Sequence, residues 1–367
     1  MNRLLWLTDN YPPQRGGMSQ SCDRIVHGLR KRGFQIDVVH FANRSGDGFK
    51  TIEQINGSYT LIPFEESESH TLNRGWNVVK KMETDQLICF GGYLSLLAGP
   101  IYAKWIGKPL ITLLRGNDFD TSIFTPRKRD ILIDALTTSE KICVVSKEKQ
   151  WKIKQLLSNA KVEFVPNGID VVNWTPSQSE IEFSKKWREK HCDQKLCIGL
   201  FGHLKPKKGG NFLIESLKDP KFSNNLHFLF IGDLDQKLEE ILNNGSVSFS
   251  YLPFMDRFEL LKYYLCCDAM AIPSFYDGMP NVLLEAGGLG IPVIATAVDG
   301  IKDVIHPDKN GMLFEPGDLS ECRFVFHKFI KMSSKERQEL GIELKKTIEI
   351  EYNEKNEIDH YIHLFNR

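Results

Sequence analysis

Three stretches of the 367-residue chain bring together residue types able to do chemistry. In Phe201-Gly202-His203-Leu204-Lys205-Pro206-Lys207-Lys208-Gly209-Gly210, three lysines and a histidine lie between an apolar run and a glycine pair. A strand-to-helix turn of this kind suits a diphosphate, because ammonium groups and helix amino termini both favour anionic oxygens. A solvated basic loop is the plain alternative. Further on, Asp277 and Glu285 stand with seven residues between them, and Gly278 and Pro280 mark a turn into a helix. Proline costs no hydrogen bond at the first helical turn, which fixes the helix start. Glu285 then falls among Val282, Leu283, Leu284 and Ala286, where a buried carboxylate needs partners. Paired ribose hydroxyls would serve, and so would a core lysine. The third stretch, Asn10-Tyr11-Pro12-Pro13-Gln14-Arg15-Gly16-Gly17-Met18-Ser19, follows the first apolar run. Its glycine pair lets backbone approach a ligand closely. It is not G-x-G-x-x-G, which disfavours a nicotinamide dinucleotide.

These loops need elements to hold them. Short apolar runs predict strands over 4–7, 36–41, 87–90, 110–114, 142–145 and 162–165. A second series covers 196–201, 226–231, 247–250, 269–272, 293–295 and 312–314. Helical patterns fall between them at 19–32, 93–105, 127–136, 147–157, 210–217, 236–242, 258–264, 282–287 and 319–330. Strands without strict alternation, separated by helices, indicate parallel sheets covered on both faces. The expectation is an α/β chain of two doubly wound, Rossmann-like domains. The polar segment 171–194 holds the joint, giving domains at 1–172 and 173–350 and a terminal helix at 351–367 that packs back toward the first. In such sheets ligands bind at the carboxyl ends of the strands, where all three loops lie.

Composition narrows the partners. Lys+Arg and Asp+Glu both number 47, so the formal charge is zero, which argues against nucleic acid. No apolar run approaches the roughly 20 residues of a membrane span. The amino terminus lacks a signal-peptide pattern, so a cytoplasmic protein is expected. The eight cysteines read as reduced, buried thiols. Residues 1–170 carry 23 Lys/Arg against 18 Asp/Glu. The excess gathers at Lys80-Lys81, Lys104 with Lys108, Arg127-Lys128-Arg129 and Lys147 to Lys154, with Trp105 and Trp151 inside two clusters. Basic groups beside a tryptophan suit peripheral contact with an anionic membrane. Solvated helix faces are the alternative.

Asp277 to Glu285, continued by Ala286-Gly287-Gly288-Leu289-Gly290-Ile291-Pro292-Val293-Ile294-Ala295, resembles the E-x7-E region of the retaining glycosyltransferases of family four. The likeness spans nearly the whole chain. It takes in Val165-Pro166-Asn167-Gly168-Ile169-Asp170, the 202–209 loop, Ile231-Gly232-Asp233, 249–252, 268–274 and Asn310-Gly311-Met312-Leu313-Phe314. The resemblance implies the GT-B fold, two Rossmann-like domains facing a central cleft, with the acceptor on the first and a nucleotide-sugar donor on the second. It implies a sugar moved from a UDP- or GDP-linked donor to a hydroxyl of a glycan, lipid-linked or small-molecule acceptor. By resemblance, Glu285 grips the donor ribose, and Asp277 with the backbone from Gly278 through Met279, Pro280 and Asn281 to Val282 contacts the sugar and distal phosphate. Lys208, with His203, neutralises the diphosphate, Gly16 and Gly17 close over it, and the backbone of Tyr251 and Leu252 faces the base.

The chain departs from the family at three places. His203 stands where the family has arginine and Asp277 where it has glutamate. Leu113-Leu114-Arg115-Gly116-Asn117-Asp118 occupies the family's His-Gly segment. Arg115 cannot act as a base near neutral pH and is expected to bind phosphates or an acidic acceptor. The expected catalytic set is Lys208, Asp277 and Arg115, and Asn117 and Asp118 are assigned to the acceptor. Asp118-Phe119-Asp120 and Asp233-Leu234-Asp235 match D-x-D, yet no cofactor and no metal site is expected. A sugar-nucleotide 2-epimerase and a non-catalytic nucleotide-sugar-binding protein are the alternatives.

Overall fold

The structure, a computed structural model, describes residues 3–42, 48–116, 118–245 and 247–366. The chain divides into two units: Met1–Pro166 with Glu357–Arg367, and Asn167–Asn356.

Unit 1 opens with β1 (Arg3–Thr8), α1 (Gly17–Lys31), β2 (Gln35–Ala42) and the hairpin β3 (Lys50–Gln54) and β4 (Gly57–Pro63). It continues with α2 (Glu68–Val79), β5 (Gln86–Phe90), α3 (Tyr93–Ile106), β6 (Leu110–Leu114), α4 (Asp118–Ser122) and α5 (Pro126–Thr138). The last elements before the crossing are β7 (Lys141–Val144), α6 (Lys147–Leu156) and β8 (Val162–Phe164). The eight strands are ordered β3-β4-β2-β1-β5-β6-β7-β8, antiparallel only between β3 and β4. β1 shows why: its residues after Arg3 are all buried, which an unbroken run such as Leu4–Leu7 achieves only between two covering layers.

Unit 2 begins with α7 (Gln178–His191), closed at its start by a reciprocal cap between Ser177 and Glu180. It continues with β9 (Leu196–Leu204), a 3-10 turn (Pro206–Lys208), α8 (Gly210–Leu217), α9 (Pro220–Ser223), β10 (Leu226–Leu234) and α10 (Gln236–Asn243). Next come β11 (Ser248–Leu252), α11 (Arg257–Tyr264), β12 (Ala269–Ile272), α12 (Asn281–Gly288), β13 (Val293–Thr296), α13 (Asp299–Val304) and β14 (Met312–Phe314). Helices α14 (Leu319–Lys331) and α15 (Ser334–Glu351) complete it. The six parallel strands are ordered β11-β10-β9-β12-β13-β14.

The final helix, α16 (Glu354–Phe365), delivers Ile358, Tyr361, Leu364 and Phe365 to the core of unit 1, beside Trp6 and Phe90. Each sheet reverses its winding at one place: β1 lies between β2 and β5, and β9 between β10 and β12. Doubly wound sheets hold ligands outside such points. They are where the glycine pair of unit 1 and the lysine-rich turn of unit 2 emerge.

Candidate active site

The lysine-rich turn of unit 2 is shaped by backbone constraints. Gly209 has φ +71°, and a Cβ there would lie 1.9 Å from the Pro273 carbonyl oxygen, so no side chain fits. The Phe275 amide donates to the Lys207 carbonyl at 2.9 Å, joining the turn after β9 to the loop after β12. Lys208 Nζ then pairs with Asp277 Oδ2, to which Ser274 Oγ also donates at 3.4 Å. Lys207 points elsewhere, over the ring of Tyr276 at 5.4 Å. The stretch leading into α12 is pinned from behind. Asn167 Nδ2 donates to the Met279 carbonyl at 2.7 Å, and a Cβ at Gly300 would meet the Gly278 carbonyl at 1.9 Å. Gly278, Met279 and Pro280 are buried, while Asn281 and Val282 are half-exposed at the helix start.

Glu285 lies one turn into α12 and is buried. Its Oε2 accepts from the Tyr264 hydroxyl at 2.6 Å, and its Oε1 lies 3.6 Å from Arg257 Nε. Its main-chain carbonyl accepts from Trp174 Nε1 at 2.8 Å. The core lysine is therefore replaced by a phenol, a guanidinium and an indole. Burial, with the neighbouring carboxylate adding to it, pushes the Tyr264 phenol well above its ordinary pKa.

His203 Nδ1 lies 2.6 Å from Asp233 Oδ2, and its ring stacks on Phe254 at 5.9 Å. Tyr251 and Leu252 end the edge strand β11, two strands from β9.

In unit 1, Gly16 precedes α1 with φ 126° and Gly17 opens that helix. Asp9, at the end of β1, accepts from the Leu94 and Ser95 amides at 2.8 Å each, capping α3. Burial raises its carboxyl to about 6 against these two bonds. Asp118 Oδ1 accepts from the Gly92 amide at 3.1 Å, and its Oδ2 is buried with no hydrogen-bond partner among the described residues. Asn117, assigned to the acceptor from sequence, lies outside the described residues.

Arg115 differs from its expected role. Its side chain is fully buried, and it pairs with Glu357 at 2.7 Å. It also donates to the Val165 carbonyl at 2.6 Å and lies over the Tyr361 ring at 5.5 Å. The guanidinium that replaces the family's histidine is spent on α16, inside the core, rather than turned outward to a phosphate or acceptor.

The two halves match two family descriptions. Residues 182–347 fit the one given as glycosyl transferases group 1, and 15–173 fit glycosyltransferase family 4. An uncharacterised glycosyltransferase of Methanocaldococcus jannaschii is 24% identical over 347 residues, covering 86% of this chain and 85% of the relative. The UDP-Gal:α-D-GlcNAc-diphosphoundecaprenol α-1,3-galactosyltransferase of Escherichia coli is 24% identical over 267 residues, 66% of each chain. Sucrose-phosphate synthase of Thermosynechococcus elongatus superposes with a TM-score of 0.86 at 14% identity, covering 100% of this chain and 98% of that one. The chain is a glycosyltransferase of the GT-B, family-four type.

Within this glycosyltransferase the structure pairs Lys208 with Asp277, both singled out from sequence, but the sequence does not reveal what holds Glu285. Tyr264 and Arg257 lie 21 and 28 residues before Glu285, and Trp174 lies in the joint segment that reads as merely polar. Two signals were present. A buried tyrosine on a helix needs a partner for its hydroxyl, and Trp174 is a lone indole in polar sequence. The D-x-D matches have structural uses. Asp120 faces the buried Lys149 at 3.0 Å, Asp233 faces His203, and Asp235 caps α10 through the Lys237 and Leu238 amides. Among the described residues, no three His, Cys, Asp or Glu side chains are grouped as a metal would require.

Proposed function

We propose that this glycosyltransferase retains anomeric configuration and moves a sugar from a uridine or guanosine diphosphate donor to a hydroxyl of a lipid-linked or glycan acceptor. The observation that carries the donor reading is the convergence in unit 2. Lys208 and Asp277 meet at the carboxyl ends of β9 and β12, and the same loop opens the helix that buries Glu285. In this reading the Lys208 ammonium leaves Asp277 for the departing diphosphate, whose charge grows as the glycosidic bond breaks. Fixed positive charge stabilises that state more than the ground state. Asp277 then serves the sugar hydroxyls, and Glu285 the ribose. The acceptor hydroxyl approaches on the face the diphosphate leaves and passes its proton to a phosphate oxygen, so no protein base is required. Asp118, whose Oδ2 is buried with no hydrogen-bond partner among the described residues, is proposed for the acceptor.

A lipid-linked acceptor is supported by the undecaprenol-linked substrate named for the Escherichia coli relative and by a basic corner of unit 1. The rings of Trp76 and Trp105 meet edge to face at 4.8 Å. This contact joins the ends of α2 and α3, and with them Lys80-Lys81 and Lys104 with Lys108. Trp105 remains 59% exposed. Among the described residues, no helix is long and apolar enough to cross a membrane, so any bilayer contact is proposed as peripheral.

The test is transfer by purified variants. Lys208→Ala and Glu285→Ala should each lower kcat/KM by at least about a hundredfold, the scale of a lost electrostatic donor. Product NMR should show the donor's anomeric configuration preserved. Near-normal rates in both variants refute the residue roles, and an inverted product refutes retention.

A further inference from the structure

We infer that Tyr264 is the positioning residue for the Glu285 carboxylate, pinning Oε2 so that Oε1 is the oxygen offered to a ligand hydroxyl. The inference rests on the reading of Glu285 as the group that grips the donor ribose.

A glutamate on a helix has several rotamers, and one that must accept two adjacent hydroxyls is useful only when locked. Here the locks are unequal. The Tyr264 hydroxyl donates to Oε2 at 2.6 Å. Its ring cannot swing away, because it packs edge to face on Phe201 at 4.8 Å and on Trp174 at 5.9 Å and is fully buried. Burial keeps the phenol protonated, so it stays a donor throughout the working pH range. Trp174 holds the main-chain end of the same residue through its indole N–H.

Oε1 is treated differently. Arg257 Nε lies 3.6 Å away, beyond hydrogen-bond length, and its guanidinium is drawn over the Trp174 ring at 4.6 Å. Arg257 therefore supplies positive charge near Oε1 without saturating its lone pairs. A carboxylate offers about four acceptor sites, and Tyr264 occupies one on the far oxygen. The arrangement favours a ligand that presents neutral donors to Oε1, as a ribose diol does. Removing the phenol oxygen should let the carboxylate rotate toward Arg257 and close the 3.6 Å gap to a direct hydrogen bond.

The experiment is calorimetry on the full chain with UDP or GDP, whichever binds, against its 2′,3′-dideoxy analogue. The wild type should prefer the ribose form by at least about tenfold, since hydrogen bonds to a charged group are worth that much. Tyr264→Phe keeps the ring, and should bring the preference within about threefold of unity while the melting temperature holds. Arg257→Met should keep the preference within about twofold of wild type. If Tyr264→Phe retains the full preference while Glu285→Gln loses it, the positioning role is wrong and the ribose reading stands. Should Arg257→Met lose it while Tyr264→Phe does not, Arg257 is the anchor and the inference is overturned. If Glu285→Gln itself retains the preference, the ribose reading fails, and this inference fails with it.

Discussion

Asp9 is a carboxylate in a costly place. It is buried at the end of β1 and bonded to two amides at the start of α3, and its carboxyl is raised to about 6. In an unfolded chain an aspartate ionises near 3.9. Between those values the folded form holds more protons than the unfolded form, so stability from this group is lost as pH rises from about 4 to 6. Asp9→Asn removes that slope. Comparing denaturant midpoints at pH 4.5 and 7.5, the variant should gain about 2 kcal/mol relative to wild type over the interval. A difference independent of pH would show that Asp9 ionises normally. The same residue marks a limit of sequence reading. An acid after an apolar strand is visible, but its partners Leu94 and Ser95 lie 85 and 86 residues away. Lys208 and Asp277 stand out in the sequence as candidates because each lies in a loop with its own turn residues. Tyr264 and Trp174 were not, because each is an aromatic that could equally be core.

At the level of elements, the strands built on a mostly apolar run were readable, among them β1, β5, β6 and β12. The β3–β4 hairpin was missed. All of Lys50–Gln54 is exposed, so no apolar pattern separates this edge strand from a loop, and β4, though buried after Gly57, mixes Ser58 and Thr60 with its apolar residues. Helices α2 and α7 were missed for a related reason: α2 buries three residues and α7 only Ser184, and polar caps start them. Finding α2 changes how the basic clusters are read, because its last turn meets α3 through Trp76 and Trp105. Lys149 moves the other way, its side chain buried against Asp120, so the 147–154 cluster presents less charge than its count suggests. If the Trp76–Trp105 corner rests on lipid, liposomes rich in anionic lipid should carry the protein to the top of a density gradient. Added salt should reverse this, because the attraction is screened. Trp105→Ala should reduce flotation at least about threefold. Flotation that ignores both lipid charge and the tryptophan would remove this corner from consideration.

Across the whole chain, the decisive feature is the return of α16 to the first unit. Arg24 Nε and Nη2 reach Glu357 at 2.8 and 3.2 Å, and Arg115 Nη2 donates to the same Oε1 that Arg24 Nη2 reaches. Lys141 Nζ donates to the Leu364 carbonyl at 2.6 Å, and Gln86 Nε2 to that of Phe365 at 2.9 Å. Glu357→Ala leaves two cations in a closed interior, a loss of about 3–5 kcal/mol for a buried pair broken on one side. Urea unfolding of the variant should show that deficit in the transition of unit 1. A deficit under about 1 kcal/mol would mean the pair is dispensable. Sequence reading anticipates a terminal helix here, but not that an arginine in a presumed ligand loop is its counter-ion. On the ribosome this wiring sets an order of assembly. Unit 1 stays unfinished while the 167–356 segment that splits it is synthesised, tens of seconds at roughly 5–20 residues per second. A nascent chain stalled before Glu357 would leave the sheet of unit 1 without the helix that closes its core.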